Sequence, residues 1–322
     1  MIRIAHLARA VAAAVRLTGL GMLVPLVASL ATDPWNRRVL GSFELPSGTL
    51  AFGLCAALAA SLWFPLSLAA RRSTEPLTDR EGYLGVALAW LVAAAVASTP
   101  FMLLRILPPV GSYFEAMSGI TGTGISALAS LDALQPSLLL WRSFLHWMGG
   151  LAATVLSVSL LARLTHGGLS WMGPARSRWR LQEVVFTIGG VYLVVTLAFA
   201  TLFDIALTAR HDMGGVPALV ESLTQTFAAY GNGAFTLHAR PLFPDDPLLA
   251  ALRSTMMIAG ALNLPVAIVL ARRDALRTLA SNPEVRFFLA ILVAGCTAVV
   301  ALAWDGDRAA ALQGAIAVAT GA

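Results

Sequence analysis

Long apolar runs separated by short polar links dominate the chain, and the runs have the length of membrane crossings. Apolar stretches at about 10–31, 48–70, 82–106, 138–163, 183–205, 248–271 and 285–304 each approach the roughly 20 residues that one helical crossing needs. Two shorter segments, 112–121 and 217–230, interrupt this pattern. Each leads into glycines: Thr121-Gly122-Thr123-Gly124 after the first, Gly231-Asn232-Gly233-Ala234-Phe235 after the second. A third short apolar segment, 309–318, leads to Ala319-Thr320-Gly321-Ala322. The predicted order is long helix, short helix, glycine turn, long helix, complete twice and begun a third time.

That order suits a re-entrant loop between two spans. Non-helical backbone survives at membrane depth only where protein buries it or water bathes it. Glycines spaced as Gly122 and Gly124 can adopt positive φ without a Cβ clash. Successive carbonyls can then face one way and replace the hydration shell of a cation. One such turn alone could equally be a surface loop. Three copies at matching places favour the re-entrant reading. Each unit has two long spans and returns to its starting side, so the repeats are parallel rather than inverted. Repeats of that kind build a pore about an axis along the membrane normal. The expected fold is all-α and integral to the membrane. Residues 1–80 would form two leading spans, 81–164 and 183–272 two helix–pore loop–helix repeats, and 285–322 the start of a third, incomplete at the C-terminus.

Composition agrees with a polytopic membrane protein. Of 322 residues, 58% are hydrophobic and 12% charged, against roughly 25% charge in a soluble domain. All 22 basic residues are arginine, and the net charge of +5 reads as topology rather than as a nucleic-acid surface. With the N-terminus in the cytoplasm, the arginine-rich links 71–81, 164–182 and 272–284 all fall inside and both complete glycine turns fall outside. Arg37 and Arg38, in an outer link, are the exception. Small residues near Ala31 leave a cleaved signal peptide as the alternative to a retained first span. Cys55 and Cys296 lie inside apolar runs and read as unpaired small hydrophobes, with no disulfide or metal role.

Several polar side chains are candidates for function. Glu115, Asp132, Asp204, Asp212, Glu221, Asp245, Asp246, Asp305 and Asp307 fall on the predicted outer side, where a negative vestibule would concentrate cations. Glu115, six residues before Thr121, is the leading vestibule residue. Arg37, Arg38, Arg210 and Arg240 dilute that field. His146 suits a structural hydrogen bond better than proton chemistry. Asn263 and Pro265 interrupt the sixth span, where proline frees a carbonyl and kinks the helix. Gly149-Gly150 suits close helix packing. The sequence holds no phosphate-binding loop, metal cluster or nucleophile constellation, which argues against an enzyme and against ATP hydrolysis.

Phe114-Glu115-Ala116-Met117-Ser118-Gly119-Ile120-Thr121-Gly122-Thr123-Gly124 resembles the first filter segment of TrkH-type potassium uptake proteins, of the Trk/Ktr/HKT superfamily. Leu145-His146-Trp147-Met148-Gly149-Gly150, with Val155-Leu156-Ser157-Val158, is similar to the helix after that filter. Asn282-Pro283-Glu284-Val285-Arg286-Phe287 resembles the opening of the family's third repeat. The resemblance runs over nearly the whole chain. It implies a pore lined by four filter segments, with potassium as substrate, no organic cofactor and no metal site beyond the potassium path. Thr121, Gly122, Thr123 and Gly124 would then be the first selectivity filter, Gly231, Asn232, Gly233 and Ala234 the second, and Thr320 and Gly321 the third. By the same resemblance, glycine rather than serine at Gly124 goes with potassium rather than sodium.

Two registers are open for the second filter. The family's glycine before phenylalanine is Ala234 here; alternatively Gly231-Asn232-Gly233 matches Gly122-Thr123-Gly124 and Gly233 partners Gly124. Filter segments beyond Thr320-Gly321 are not among the 322 residues, so a truncated product is expected, with a non-conducting scaffold or assembly subunit as the alternative. The expected location is the inner (plasma) membrane. The expected partners are the lipid bilayer, a second copy in a homodimer and, by family resemblance, a cytoplasmic nucleotide-binding regulatory subunit. Nucleic acid is not expected.

Overall fold

The structure, a computed structural model, describes residues 3–33, 38–40, 43–45, 47–71, 78–131, 134–164, 181–233, 235, 238, 243–261 and 283–302. The apolar runs are helices. The leading run is α1 (Ile4–Gly21) and α2 (Leu23–Thr32), interrupted only at Met22. Pro25 explains the break, because it has no N–H to return to the Gly21 carbonyl. α3 (Ser47–Ala70) follows a hairpin of β1 (Arg38–Leu40) and β2 (Phe43–Leu45), with Val39 opposite Glu44. The sequence reading did not foresee these short strands, which sit in a predicted polar link.

The next run divides into α4 (Asp79–Ala97) and α5 (Thr99–Leu103) at Ser98, with Pro100 at the start of the second piece. The short segments are α6 (Pro109–Ile120) and α9 (Gly215–Tyr230). At 12 and 16 residues both are too short to cross a bilayer. The remaining helices are α7 (Pro136–Leu164), α8 (Leu181–His211), α10 (Pro247–Ala261) and α11 (Pro283–Leu302). Proline opens α6, α7, α10 and α11, where its missing N–H costs nothing and its fixed φ suits the first turn. Among the described residues, Ile4–Thr32, Gly48–Ala70, Arg80–Leu103 and Phe186–His211 are long and apolar enough to cross a membrane. Asn263, Pro265, Ala234, the third turn at Thr320-Gly321 and the link arginines Arg176, Arg178, Arg180, Arg272, Arg273 and Arg277 lie outside the described residues.

The chain divides into two compact units, and the division falls inside α7 and α9 rather than between the predicted repeats. The first comprises Met1–Leu145, Gly215–Val220 and Phe235–Ala239; the second comprises His146–Gly214, Glu221–Ala234 and Arg240–Ala322. In the first, α1 packs on α3 and α4. Trp141 is fully buried against Phe52 and donates its indole N–H to the Ala97 carbonyl at 3.1 Å. Two buried carboxylates fasten the helix ends. Glu81 closes a capping box with Thr78 on α4 and accepts from Arg3 through Nε at 2.9 Å and Nη2 at 2.8 Å. His6 Nδ1 lies 3.0 Å from the same carboxylate.

Asp33, at the end of α2, caps α7 from a distance. Its oxygens accept the Ser137 amide at 3.1 Å and the Ser137 hydroxyl at 2.6 Å, which satisfies a free N–H and places negative charge at a helix N-terminus. Burial pushes the Asp33 carboxyl up, and the two bonds from Ser137 act against that. In the second unit Trp147, Tyr192, Phe227 and Tyr230 form an aromatic cluster, with Tyr192 and Tyr230 centroids 4.5 Å apart. Trp147 Nε1 donates to Thr196 Oγ1 at 2.8 Å.

The Asp33 cap leaves no room at Gly48, where a Cβ would collide with the carboxylate and come within 2.6 Å of Ser137 Oγ. A Cβ at Gly189, in α8, meets nothing within 4 Å. Gly48→Ala should therefore lower the melting temperature in detergent. Gly189→Ala should leave it unchanged or raise it, since alanine in a helix is favoured over glycine by roughly 0.5–1 kcal/mol.

Candidate functional site

The first glycine turn grows out of the C-terminus of α6. The Thr121 amide bonds back to Met117 O at 2.9 Å, Gly122 to Gly119 O at 3.1 Å and Thr123 to Ser118 O at 3.0 Å. Gly122 and Gly124 adopt φ of 69° and 73°. A β-carbon there would cost roughly 1–2 kcal/mol, which is why glycine occupies both positions. Thr121 Oγ1 lies 2.7 Å from Thr123 Oγ1 and donates to Met117 O at 2.8 Å. The segment from Thr123 to Leu128 then runs without helix or strand.

What holds that segment is an ion pair behind it. Glu115 on α6 and Arg142 on α7 are both buried, with Nε 2.8 Å from Oε1. Glu115 also accepts the Ala127 amide at 2.7 Å and the Ser126 hydroxyl at 3.0 Å. Arg142 Nη2 adds a bond to Ser126 Oγ at 3.1 Å. The carboxylate thus anchors the backbone three residues beyond Gly124. This corrects the vestibule reading of Glu115, whose charge is spent on Arg142 and whose side chain is fully buried. Glu221 and Asp246 are buried too. Asp132, Asp305 and Asp307 lie outside the described residues.

The second turn repeats the first, hydrogen bond for hydrogen bond. Gly231 bonds to Phe227 O at 3.1 Å, Asn232 to Ala229 O at 3.1 Å and Gly233 to Ala228 O at 2.9 Å. Asn232, at φ 53°, takes the place of Gly122. Asparagine tolerates this left-handed region better than most residues. The register follows: Gly231 matches Thr121, Asn232 matches Gly122, Gly233 matches Thr123, and by count Ala234 matches Gly124 and Phe235 matches Ile125. Pairing Gly233 with Gly124, one of the two alternatives left open by the sequence, is overturned by these bonds.

Glycine at 231 and 233 answers to crowding rather than to dihedral freedom. A Cβ at Gly233 would collide with the His146 ring, and one at Gly231 would lie 2.6 Å from the His146 carbonyl. Gly150 lets α7 approach closely, since its Cβ would lie 2.8 Å from the Tyr192 hydroxyl and 3.2 Å from Gly231 Cα. Gly260 of α10 presses on the same turn, where a Cβ would collide with the Tyr230 carbonyl. His146 is therefore a buried packing surface for the second turn.

Sequence reasoning missed a second layer of the repeat. Pro136 to Arg142-Ser143 on α7 has the same spacing as Pro247 to Arg253-Ser254 on α10. Gln225 stands where Glu115 stands in the first repeat, and its Nε2 donates to Glu221 Oε1 at 2.8 Å, one turn earlier. Arg253 sits in the field of Glu221 and Asp246. The signal was legible: arginine is rare within an apolar span, and here it recurs at a fixed distance from proline. Asp246 caps α10 through the Leu248 amide at 2.8 Å and accepts Arg210 Nε at 2.7 Å, with His211 Nε2 2.7 Å away. The Arg210 guanidinium, helped by His211 and the Leu248 and Leu249 amides, holds the Asp246 carboxyl well below the usual carboxylate range. Among the described residues no group of His, Cys, Asp and Glu is arranged to hold a metal, and Cys55 and Cys296 form no disulfide.

Long apolar helices, with two short helices ending in matched left-handed turns, define an integral membrane protein of repeated helix–short helix–helix units. A family model described as "TrkH: Cation transport protein" matches residues 47–304. The chain belongs to the TrkH cation transport family, a family of transporters and not of enzymes. The Trk system potassium uptake protein TrkH of Salmonella typhimurium is 29% identical over 78% of this chain and 52% of its own length. The Escherichia coli TrkH protein is 28% identical over 87% of this chain and 56% of its own. An uncharacterized cation transporter of Methanocaldococcus jannaschii is 25% identical over 78% and 49%. The chain spans about half the length of these curated relatives. The crystal structure of the potassium transporter TrkH from Vibrio parahaemolyticus shares the fold, with a TM-score of 0.79 at 22% identity over 99% of this chain and 64% of that one.

Arg142→Met leaves a buried carboxylate unpaired and should cost about 3–5 kcal/mol. Adding Glu115→Gln should recover most of that loss in a double-mutant cycle of thermal stability. Asp246 offers a pH test. Its folded-state pKa is depressed, so its contribution is present above the ordinary carboxylate range and is lost as pH falls. The melting-temperature gap between the protein and Asp246→Asn should be widest at neutral pH and should close below about pH 4.

Proposed function

We propose that this chain forms part of a potassium-conducting pore, with its glycine turns as selectivity filters. The observation that carries the reading is the matched pair of helix ends, identical in hydrogen bonding and each with a left-handed residue after a helix too short to cross the membrane. Helix-then-turn geometry of this kind can present consecutive carbonyls to a dehydrated cation. In this reading Thr121, Gly122, Thr123 and Gly124 line the first filter, Gly231, Asn232, Gly233 and Ala234 the second, and Thr320 and Gly321 the third. Glu115 holds the first filter in place and does not touch the ion.

Residues 1–80 form the leading spans, 81–164 and 183–272 the two repeats, and 285–322 the start of a third. The protein sits in the inner membrane with its N-terminus and arginine-rich links in the cytoplasm. It works as a homodimer under a cytoplasmic nucleotide-binding subunit. The names of the relatives as potassium uptake proteins support the choice of ion. A second reading, a non-conducting assembly subunit, is favoured by the alanine at 234, which by count stands at the position of Gly124, a glycine at φ 73° in the first turn.

The test is potassium uptake by uptake-deficient cells that express the natural polypeptide carrying these residues. Gly124→Ser should lower the preference for potassium over sodium, whereas Gly149→Ser, inside α7, should leave the preference unchanged. Absence of uptake, or equal selectivity in the protein and Gly124→Ser, would overturn the proposal in favour of the assembly subunit.

A further inference from the structure

We infer that Phe235, through Arg142 and Ser143 on α7, positions the segment that follows the first glycine turn. Phe235 lies two residues beyond Gly233 and is only 2% exposed. Its ring lies beneath the Arg142 guanidinium, 4.0 Å from guanidinium carbon to ring centroid. Its carbonyl accepts the Ser143 hydroxyl at 2.8 Å. An edge of the ring approaches α6, where a Cβ at Gly119 would lie 3.6 Å from Phe235 Cε2. The same arginine holds Glu115 through Nε and Ser126 through Nη2.

The planar guanidinium makes this dual use possible. Its edge carries the donors that bind carboxylate and hydroxyl, and its face stacks on an aromatic ring. Both contacts are shielded from water, where a cation over a ring is worth more than at an exposed site. A shift of Phe235 tilts the guanidinium plane, and the tilt is felt at Glu115, Ser126 and Ala127. The coupling is therefore reciprocal. Its consequence for ion passage rests on the function proposed above: a shift of Phe235 changes the fit of the first turn around an ion. The mechanical coupling itself does not rest on that function.

The experiment uses the whole chain in detergent micelles, with Cys55→Ala, Cys296→Ala and one reporter, Ile125→Cys, at a position 60% exposed beside Gly124. The rate of labelling by a water-soluble maleimide is the readout. Phe235→Leu, which keeps apolar bulk and removes the ring, should change the rate about fivefold, the factor that ~1 kcal/mol of lost attraction corresponds to. Phe235→Tyr, which restores the ring, should return the rate to within a factor of about two. Ser143→Ala removes only the hydrogen bond to the Phe235 carbonyl and should shift the rate in the same direction as Phe235→Leu; it serves alone if that variant does not fold. A second reporter, Asp245→Cys, exposed in the other unit, should label at one rate in every background. Unchanged labelling at position 125, or equal changes at both reporters, overturns the coupling. Absence of potassium uptake by the unsubstituted protein, with the labelling pattern intact, overturns the proposed function and leaves the coupling standing.

Discussion

The ion pair between Arg142 and Glu115 is the constraint on which the first turn depends. Both side chains are buried, and taking two charges out of water costs more than one contact returns unless further hydrogen bonds complete the shell. Here they do. Glu115 gains the Ala127 amide and the Ser126 hydroxyl, and Arg142 gains Ser126 and the face of Phe235. Each added partner is a segment of irregular backbone that makes no ladder or helix of its own. The pair therefore converts electrostatic energy into a fixed backbone path beyond Gly124.

The second repeat solves the same problem with different chemistry. Gln225 replaces the carboxylate, and the charge moves one helical turn earlier, to Glu221, which Gln225 bonds. The arginine remains at the same distance from its proline, as Arg253. Helix capping diverges likewise. α7 borrows Asp33 from the end of α2, whereas α10 uses its own preceding residue, Asp246, held by Arg210 and His211. A neutral amide needs less compensation than a carboxylate when buried. The second turn relies on steric confinement instead, wedged between His146 and Gly150 of α7 and Gly260 of α10.

Glycine serves two purposes in the two turns. At Gly122 and Gly124 it supplies positive φ. At Gly231 and Gly233 it makes space, and asparagine carries the left-handed conformation between them. The two triplets look alike in sequence, yet they are offset by one residue in structure. Matching letters gave the wrong partner for Gly233. Matching backbone hydrogen bonds gave the right one, because the helix end, not the glycine spacing, fixes where the turn begins.

The sequence by itself determined the helices, their order and the existence of the repeat. Spans of apolar residues can do little but form helices in a bilayer, where every backbone polar group must be satisfied within the segment. Prolines set the starts of α6, α7, α10 and α11 through local geometry alone, and the motif from Phe114 to Gly124 carried the family. What only the tertiary structure decided were partnerships across long separations. Asp33 meets Ser137, Glu115 meets Arg142, and Phe235 inserts between α6 and α7. An acidic residue near a turn reads the same in sequence whether it faces water or an arginine, because its identity fixes its charge and not its surroundings. Burial turned Glu115 from a candidate vestibule charge into the strut behind the turn, and burial is a property of the packed chain alone.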